Sequence, residues 1–290
     1  MTVDTTRSAW RWDRGEDGIW TLWFDQPGKS HNLLSEDAFR ELDDRLAEVE
    51  DDESVRGVLV RSAKAGGFCA GADLKTIQRS QSTGEVETYL RQGLKVIDRL
   101  SNLDPPTTAV VHGACLGGGF ELALACQHRA ALASHAALQL GTPEVLLGII
   151  PGWGGIEHLT RLLEPKDALD MLLLGDPIGF LHAKSTGAVD RLVTPDEVER
   201  LNDTLGLPPA PERPFTREVW DDELELAREK LARRSINFPE AQAAIFEIIE
   251  IDLTEGREAA REATLERLID LMLSETSRAA VSDFFQRARG

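Results

Sequence analysis

Hydrophobic and polar positions along this chain alternate between two rhythms, one of strands and one of helices. Ile19-Trp-Thr-Leu-Trp-Phe24 is rich in aromatic and β-branched residues with partial alternation, which predicts a strand ending in the turn Asp25-Gln-Pro-Gly28. Ser35-Glu-Asp then supplies a helix start with acids in its first turn. Behind it Phe39, Leu42, Leu46 and Val49 recur at helical spacing. Val55 to Arg61 predicts the next strand, and a strand–helix–strand succession favours parallel pairing. A longer helix follows from Thr83 to Asp104, with Leu90, Leu94, Ile97 and Leu100 on one face and Pro105-Pro106 as its stop. Thr108-Ala-Val-Val111 reads as a buried strand, and ALDMLLL as a helix ending at Gly175.

The rhythm changes after residue 200. Residues 201–221 hold Pro208, Pro209, Pro211 and Pro214 with little periodicity, which predicts a linker. Beyond it the pattern is helical throughout, over 221–235, 239–273 and 277–289, with Ile245, Ile248, Ile249 and Leu253 at helical spacing. The expected organisation is a core over residues 1–200, a proline-rich linker over 201–221 and a helical region over 222–290 that covers the core. An amphipathic helix needs a partner for its apolar face. Phe284-Phe285 beside Val281 suit docking better than solvent.

Composition narrows the class. The chain has 290 residues, 42% hydrophobic and 28% charged, enough for one large core or two modest ones. No apolar run reaches the roughly eighteen residues of a membrane span. The start, MTVDTTRSAW, lacks the basic and apolar stretches of a secretory signal. With 32 basic against 50 acidic residues the net charge is −18, which argues against nucleic acid as a partner. Cys69, Cys115 and Cys126 form no CxxC pair, and an odd, sparse count fits a reducing cytoplasm. His112 and His128 are isolated and HExxH is absent, so no metal is expected.

Candidate chemistry lies between Ala109 and Gly155. The strand at Thr108 runs into Gly117, Gly118 and Gly119, and the helical FELALACQ follows. A strand that turns through glycines into a helix can present bare N–H groups to an oxygen that gains negative charge. Glu121 sits in the first turn of that helix, and Glu144 stands among apolar neighbours in GTPEVLLG. Two carboxylates near an oxyanion site suit acid–base chemistry. The plain alternative is close helix packing, with Glu121 only favouring a helix N-terminus. A second glycine loop, AGGFCAGADLKTI, leads into a predicted helix at Leu74 and could aim further backbone donors, or simply connect.

GACLGGGFELALAC followed by PEVLLGIIPGWGG resembles the signature of the crotonase superfamily, in its enoyl-CoA hydratase branch. HAKSTGAVDRLV resembles a further family segment, which makes His182, Lys184 and Asp190 fold-keeping or surface residues. The N-terminal WFDQPGKSHNLLS and the stretch from Asn237 resemble the hydratase part and linker helices of fatty-acid oxidation complex alpha subunits. Those relatives continue into a dehydrogenase. This sequence ends at Gly290 without a GxGxxG fingerprint, so the expectation is a hydratase lacking that part, as a stand-alone protein or a trimmed one.

The resemblance implies an α/β fold, a ClpP-like spiral core of ββα repeats with a C-terminal helical region. It implies syn addition of water to trans-2-enoyl-CoA in fatty-acid β-oxidation, with Glu121 activating the water and Glu144 exchanging the proton at C2. The oxyanion donors would be the N–H groups of Ala72 and Gly118. Substrate contacts would come from Lys29 and His31, from Ala70, Asp73 and Leu74, from Gly117 and Pro143, and from Gly152 and Trp153. Coenzyme A is part of the substrate, so no separate cofactor is implied. The implied setting is cytoplasmic, off the membrane, in a homo-oligomer or a fatty-acid oxidation complex.

Lys29, Lys64 and Lys75 are candidate contacts for the phosphorylated end of CoA, or plain solvated lysines. GWGGIEHL departs from the family's more usual GGTQRL at Ile156, Glu157 and His158, and Trp153 either narrows the pocket or packs. The alternatives are a 3,2-enoyl-CoA isomerase, which needs chiefly the acid at Glu144, and a catalytically silent CoA-binding or scaffold subunit.

Overall fold

The computed structural model describes residues 8–79, 82–133, 138–198, 211–233 and 237–287. It is a mixed α/β protein with a parallel sheet and a helical C-terminal region, as expected. Its contacts divide the chain into two compact units: Met1–Ala72 with Gln92–Leu140 and Ile178–Pro211, and Asp73–Arg91 with Gly141–Pro177 and Glu212–Gly290.

In the first unit, β1 (Trp10–Arg14) and β2 (Ile19–Phe24) form an antiparallel hairpin. The rest of the sheet is parallel, adding β3 (Gly57–Ser62), β5 (Thr107–Val111), β7 (His128–Leu132) and β9 (Arg191–Val193) in the order β1-β2-β3-β5-β7-β9. Three short strands, β4 (Gly67–Cys69), β6 (Ala114–Leu116) and β8 (Gln139–Gly141), form a second sheet. β3, β5 and β7 are each followed by one of these short strands, which is the ββ step of a ββα repeat.

Helix α1 (Glu36–Glu50) is capped by Ser35, whose hydroxyl accepts from Ala38 N–H. It buries Phe39, Leu42, Leu46 and Val49, the face read from spacing. Helix α3 (Thr83–Ser101) stops short of Asp104 and clamps α1 through Arg99, which pairs with Asp43 at 2.6 Å and Glu50 at 2.5 Å. Helix α4 (Gly118–Leu124) follows β6, and α7 (Phe180–Thr186) and α8 (Pro195–Val198) flank β9.

The second unit is helical. A 3₁₀ turn, Pro143–Leu147, carries Glu144, and α2 (Leu74–Arg79), α5 (Gly155–Leu162) and α6 (Pro165–Leu174) accompany it. The tail adds α9 (Arg217–Ala232), α10 (Pro239–Glu255), α11 (Arg257–Leu273) and α12 (Glu275–Arg287). Of the stretch read as a linker, residues 201–210 lie outside the described residues, and α9 begins at Arg217. The run 239–273 is two helices, because Gly256 takes φ 93° and turns the chain between them. Val281 is buried, but Phe284 is 48% exposed. A helix that turns Val281 and Phe285 inward carries Phe284 off that face.

Candidate active site

The two glycine loops meet within the first unit. Gly117 adopts φ 53° and ψ −131°, a backbone state that favours glycine, and α4 starts at the next residue. A Cβ on Gly119 would overlap the carbonyl of Cys69, so only glycine lets α4 approach β4 this closely. Gly71, at φ 102°, lies against the same turn: a Cβ there would sit 3.0 Å from Leu116 O and 3.6 Å from Gly118 N. The backbones that carry Ala72 and Gly118 are therefore neighbours.

Hydrogen bonding orients both peptides. The Gly71 carbonyl accepts from Leu34 N–H at 2.9 Å, with the Cys69 thiol 3.9 Å away. Ala72 N–H belongs to the same trans peptide and points the opposite way. The Gly117 carbonyl accepts from Phe120 N–H at 2.7 Å and Glu121 N–H at 3.0 Å. Gly118 N–H, on that peptide's other side, projects from the helix N-terminus. A carbonyl held this way polarises the N–H it shares a peptide with, which suits a donor to developing negative charge. Glu121 lies one turn along α4 from Gly118, on the same side of the helix, and is 1% exposed.

Asn32 gives almost no sign of its role in the sequence. It is fully buried, accepts from Gln26 N–H at 3.0 Å, and donates to Phe24 O at 2.9 Å, Ser62 Oγ at 3.0 Å and Phe68 O at 3.2 Å. Its own carbonyl accepts from Ala70 N–H at 3.0 Å. It thus ties the ends of β2, β3 and β4 to the loop that delivers Ala72. The one signal in the sequence is a polar residue between His31 and the apolar Leu33-Leu34.

The lysines are not equivalent. Lys64 donates to Asp25 at 2.7 Å and to the Gln26 carbonyl at 2.6 Å, so its ammonium is committed within the fold. Lys29 is exposed, and so is His31, whose ring lies beside Gly66. In the second unit Asp73 precedes α2 and accepts from Lys75 N–H at 3.1 Å as a helix cap. Lys75 is exposed, and Leu74, the first residue of α2, is half-buried.

Glu144 is half-buried in the first turn of the 3₁₀ helix, one residue after Pro143. The tail holds this turn. Ser277 of α12 donates to Gly148 O at 2.7 Å, and Phe238 packs against Gly148, which caps the turn at φ 73°. Trp153 is buried, donates to Leu90 O at 3.1 Å and stacks edge-on against Tyr89 at 5.5 Å. Gly152 leaves room for Leu268 of α11. Glu157 accepts from Arg261 at 2.5 and 3.1 Å and pairs with Arg257 at 3.2 Å. Beside it Arg161 grips Asp252 through two contacts of 2.7 Å.

All three thiols are buried. Burial pushes Cys69 and Cys126 up to about 12 and raises Cys115 well above the usual thiol range, so none is a nucleophile at neutral pH. Among the described residues no three His, Cys, Asp or Glu side chains gather as a metal would need, and no helix is long and apolar enough to cross a membrane.

An α/β core of ββα repeats with two converging glycine loops defines a crotonase-type protein. The sequence pattern of enoyl-CoA hydratase/isomerase matches residues 14–205, and the chain belongs to that family. The fatty acid oxidation complex subunit alpha of Shewanella sp. (strain ANA-3) is 33% identical over 287 residues, covering 94% of this chain and 40% of the relative. The subunit of the same name from Shewanella oneidensis is 41% identical over 180 residues, 62% of this chain and 25% of the relative. The chain thus spans at most 40% of the length of these relatives. Among solved structures, an enoyl-CoA hydratase/isomerase from Xanthobacter autotrophicus Py2 superposes with TM-score 0.67 at 25% identity, covering 98% of this chain and 94% of that one. A putative enoyl-CoA hydratase from Streptomyces avermitilis gives 0.68 at 24% identity, with 99% and 91% covered, a likeness of fold.

Proposed function

We propose that this protein hydrates trans-2-enoyl-CoA thioesters to 3-hydroxyacyl-CoA, as a step of fatty-acid β-oxidation in the cytoplasm. The observation that carries the reading is the convergence of the Gly71–Ala72 and Gly117–Gly118 peptides, with Glu121 buried one helical turn away. Water adds across the double bond, hydroxide to C3 and a proton to C2. Negative charge moves onto the thioester oxygen as it does so. Ala72 and Gly118 N–H groups bind that oxygen, and one such donor is worth about 3 to 4 kcal/mol in the transition state. Glu121 takes the proton from the attacking water and Glu144 delivers one to C2, with the roles exchanged in dehydration. CoA arrives with the substrate, so the chemistry calls for no separate cofactor or metal. Lys29, His31 and Lys75 are accessible for the nucleotide end, whereas Lys64 is held by Asp25. Ala70, Asp73, Leu74, Gly117, Pro143, Gly152 and Trp153 are the remaining substrate contacts of this reading. The assembly is a homo-oligomer or a fatty-acid oxidation complex, the latter supported by the names of the Shewanella relatives.

Loss of enoyl-thioester absorbance with crotonyl-CoA tests the reading. Glu144→Gln should lower both hydration and double-bond isomerisation by about 10² to 10⁴. Glu121→Gln should suppress hydration more than isomerisation, since only hydration needs an activated water. Equal loss in both assays reduces Glu121 to a shaping role. Either variant retaining more than half of wild-type turnover, or an inactive parent that still binds CoA, overturns the assignment.

A further inference from the structure

A concavity lies in the first unit, at the starting ends of β5, β7 and β9. It has a volume of about 400 Å³ and is lined by Thr108, His128, Arg129, Ala130, Lys184, Asp190 and Arg191. β3 and β5 leave the sheet at their other ends, toward Gly67 and Gly113, so this cavity and the glycine loops sit at opposite ends of the strands. Register explains its lining. Thr108 pairs with His128 and Ala130 with Arg191, and residues two apart on a strand share a face. Further along that face Val110, Ala130 and Val193 are sealed by Val198. The apolar floor therefore gives way to polar and basic side chains at the strand starts.

We infer that this cavity binds a small oxyanion, a phosphate or carboxylate group, as a site separate from the thioester chemistry. Three permanent cations, Arg129, Lys184 and Arg191, surround one carboxylate, Asp190, in a chain whose net charge is −18. Such a local excess of positive charge holds an anion against the field of the whole molecule. Arg129 is 5% exposed and fixed by donation to Cys126 O at 2.9 Å and Ala188 O at 3.2 Å. Asp190 lies 3.7 Å from its Nη2 and is already engaged by Arg129 N–H at 2.6 Å. Burial opposes the charge on Arg129, and an anion in the cavity would relieve that cost. Lys184 gives the Asp190 carbonyl one hydrogen bond at 2.6 Å, and an ammonium has three donors. Arg191 stands exposed at the rim.

Thr108 supplies the independent sign. Thr108 lines the cavity at 2% residue exposure, and its hydroxyl, closed off from solvent, meets no hydrogen-bond partner among the described residues. A buried hydroxyl without a partner is costly unless something else occupies the site.

Calorimetric titration of the full chain with inorganic phosphate, and separately with succinate, at constant ionic strength tests the inference. Saturable binding of either is expected, and the probe that binds tells phosphate from carboxylate recognition. The double substitution Lys184→Gln and Arg191→Gln should weaken it by roughly tenfold or more. Thr108→Val should also weaken binding, while the ligand-free melting temperature stays level or rises, because the substitution deletes an unsatisfied group. Arg129 is left intact because its guanidinium also braces the fold. No saturable binding of either anion in the millimolar range overturns the inference. Affinity unchanged in the double variant, or unchanged in Thr108→Val, overturns it equally.

Discussion

Gly119 is the point at which a single hydrogen decides whether the two glycine loops can meet. A methyl there would overlap the Cys69 carbonyl and lie 2.8 Å from its carbonyl carbon and Cβ. Backbone cannot swing aside as a flexible side chain does. Gly119→Ala is expected to destabilise by about 1 to 3 kcal/mol, the usual cost of overpacking, and to lose hydration of crotonyl-CoA as the loops part. Gly84 is the control. It is exposed in α3, and a methyl added there would meet nothing within 4 Å, so Gly84→Ala should stabilise by roughly 0.5 to 1 kcal/mol. Urea unfolding of both variants checks the pair, and a Gly119→Ala protein as stable as Gly84→Ala would remove the packing argument.

Among elements, legibility followed whether a signal was local. The strand Ile19–Phe24 and the helix from Glu36 were readable because each buries one face and so repeats at its own period. β4, β6 and β8 were not, since three residues cannot establish a period. The glycine run of the candidate site stood out because few other roles need three glycines before a helix. Asn32 did not, because its partners at Phe24, Ser62 and Phe68 are set by the fold. The same is true of the clamp between α5 and the tail, where Arg161 meets Asp252 across 91 positions. Both side chains of that pair are largely buried, at 11% and 3% exposure. Deleting one partner leaves an uncompensated charge, so Asp252→Leu should cost about 3 to 5 kcal/mol. Adding Arg161→Met should recover most of it, because replacing a buried pair together is close to neutral. A denaturation cycle reads both, and additive losses would mean that the two residues act independently.

For the molecule as a whole, the question is whether residues beyond Asp221 are an appendage or part of a core. Within the second unit they cannot be separated from α5, α6 and the Glu144 turn. Leu224, Ile245, Ile248, Ile249, Leu265, Leu268 and Met272 are all buried, and each such side chain contributes about 1.5 to 3 kcal/mol. Together that is about 10 to 21 kcal/mol of gross burial, as large as the roughly 5 to 15 kcal/mol by which a domain is stable at all. Polar ties point the same way. Gln242 donates to Leu173 O at 2.7 Å, Ser277 to Gly148 O at 2.7 Å, and Glu157 takes both Arg257 and Arg261. Among the described residues, the rival view of a tail shaped to meet a further domain finds support only in Leu226 and Phe284, at 43% and 48% exposure. Deleting the chain from Asp221 onward decides between them. The expected product is poorly soluble, binds a hydrophobic dye, and fails to hydrate crotonyl-CoA, because the segment that carries Glu144 has lost its support. A soluble truncation with the parent's melting temperature and full turnover would show that the tail serves something else.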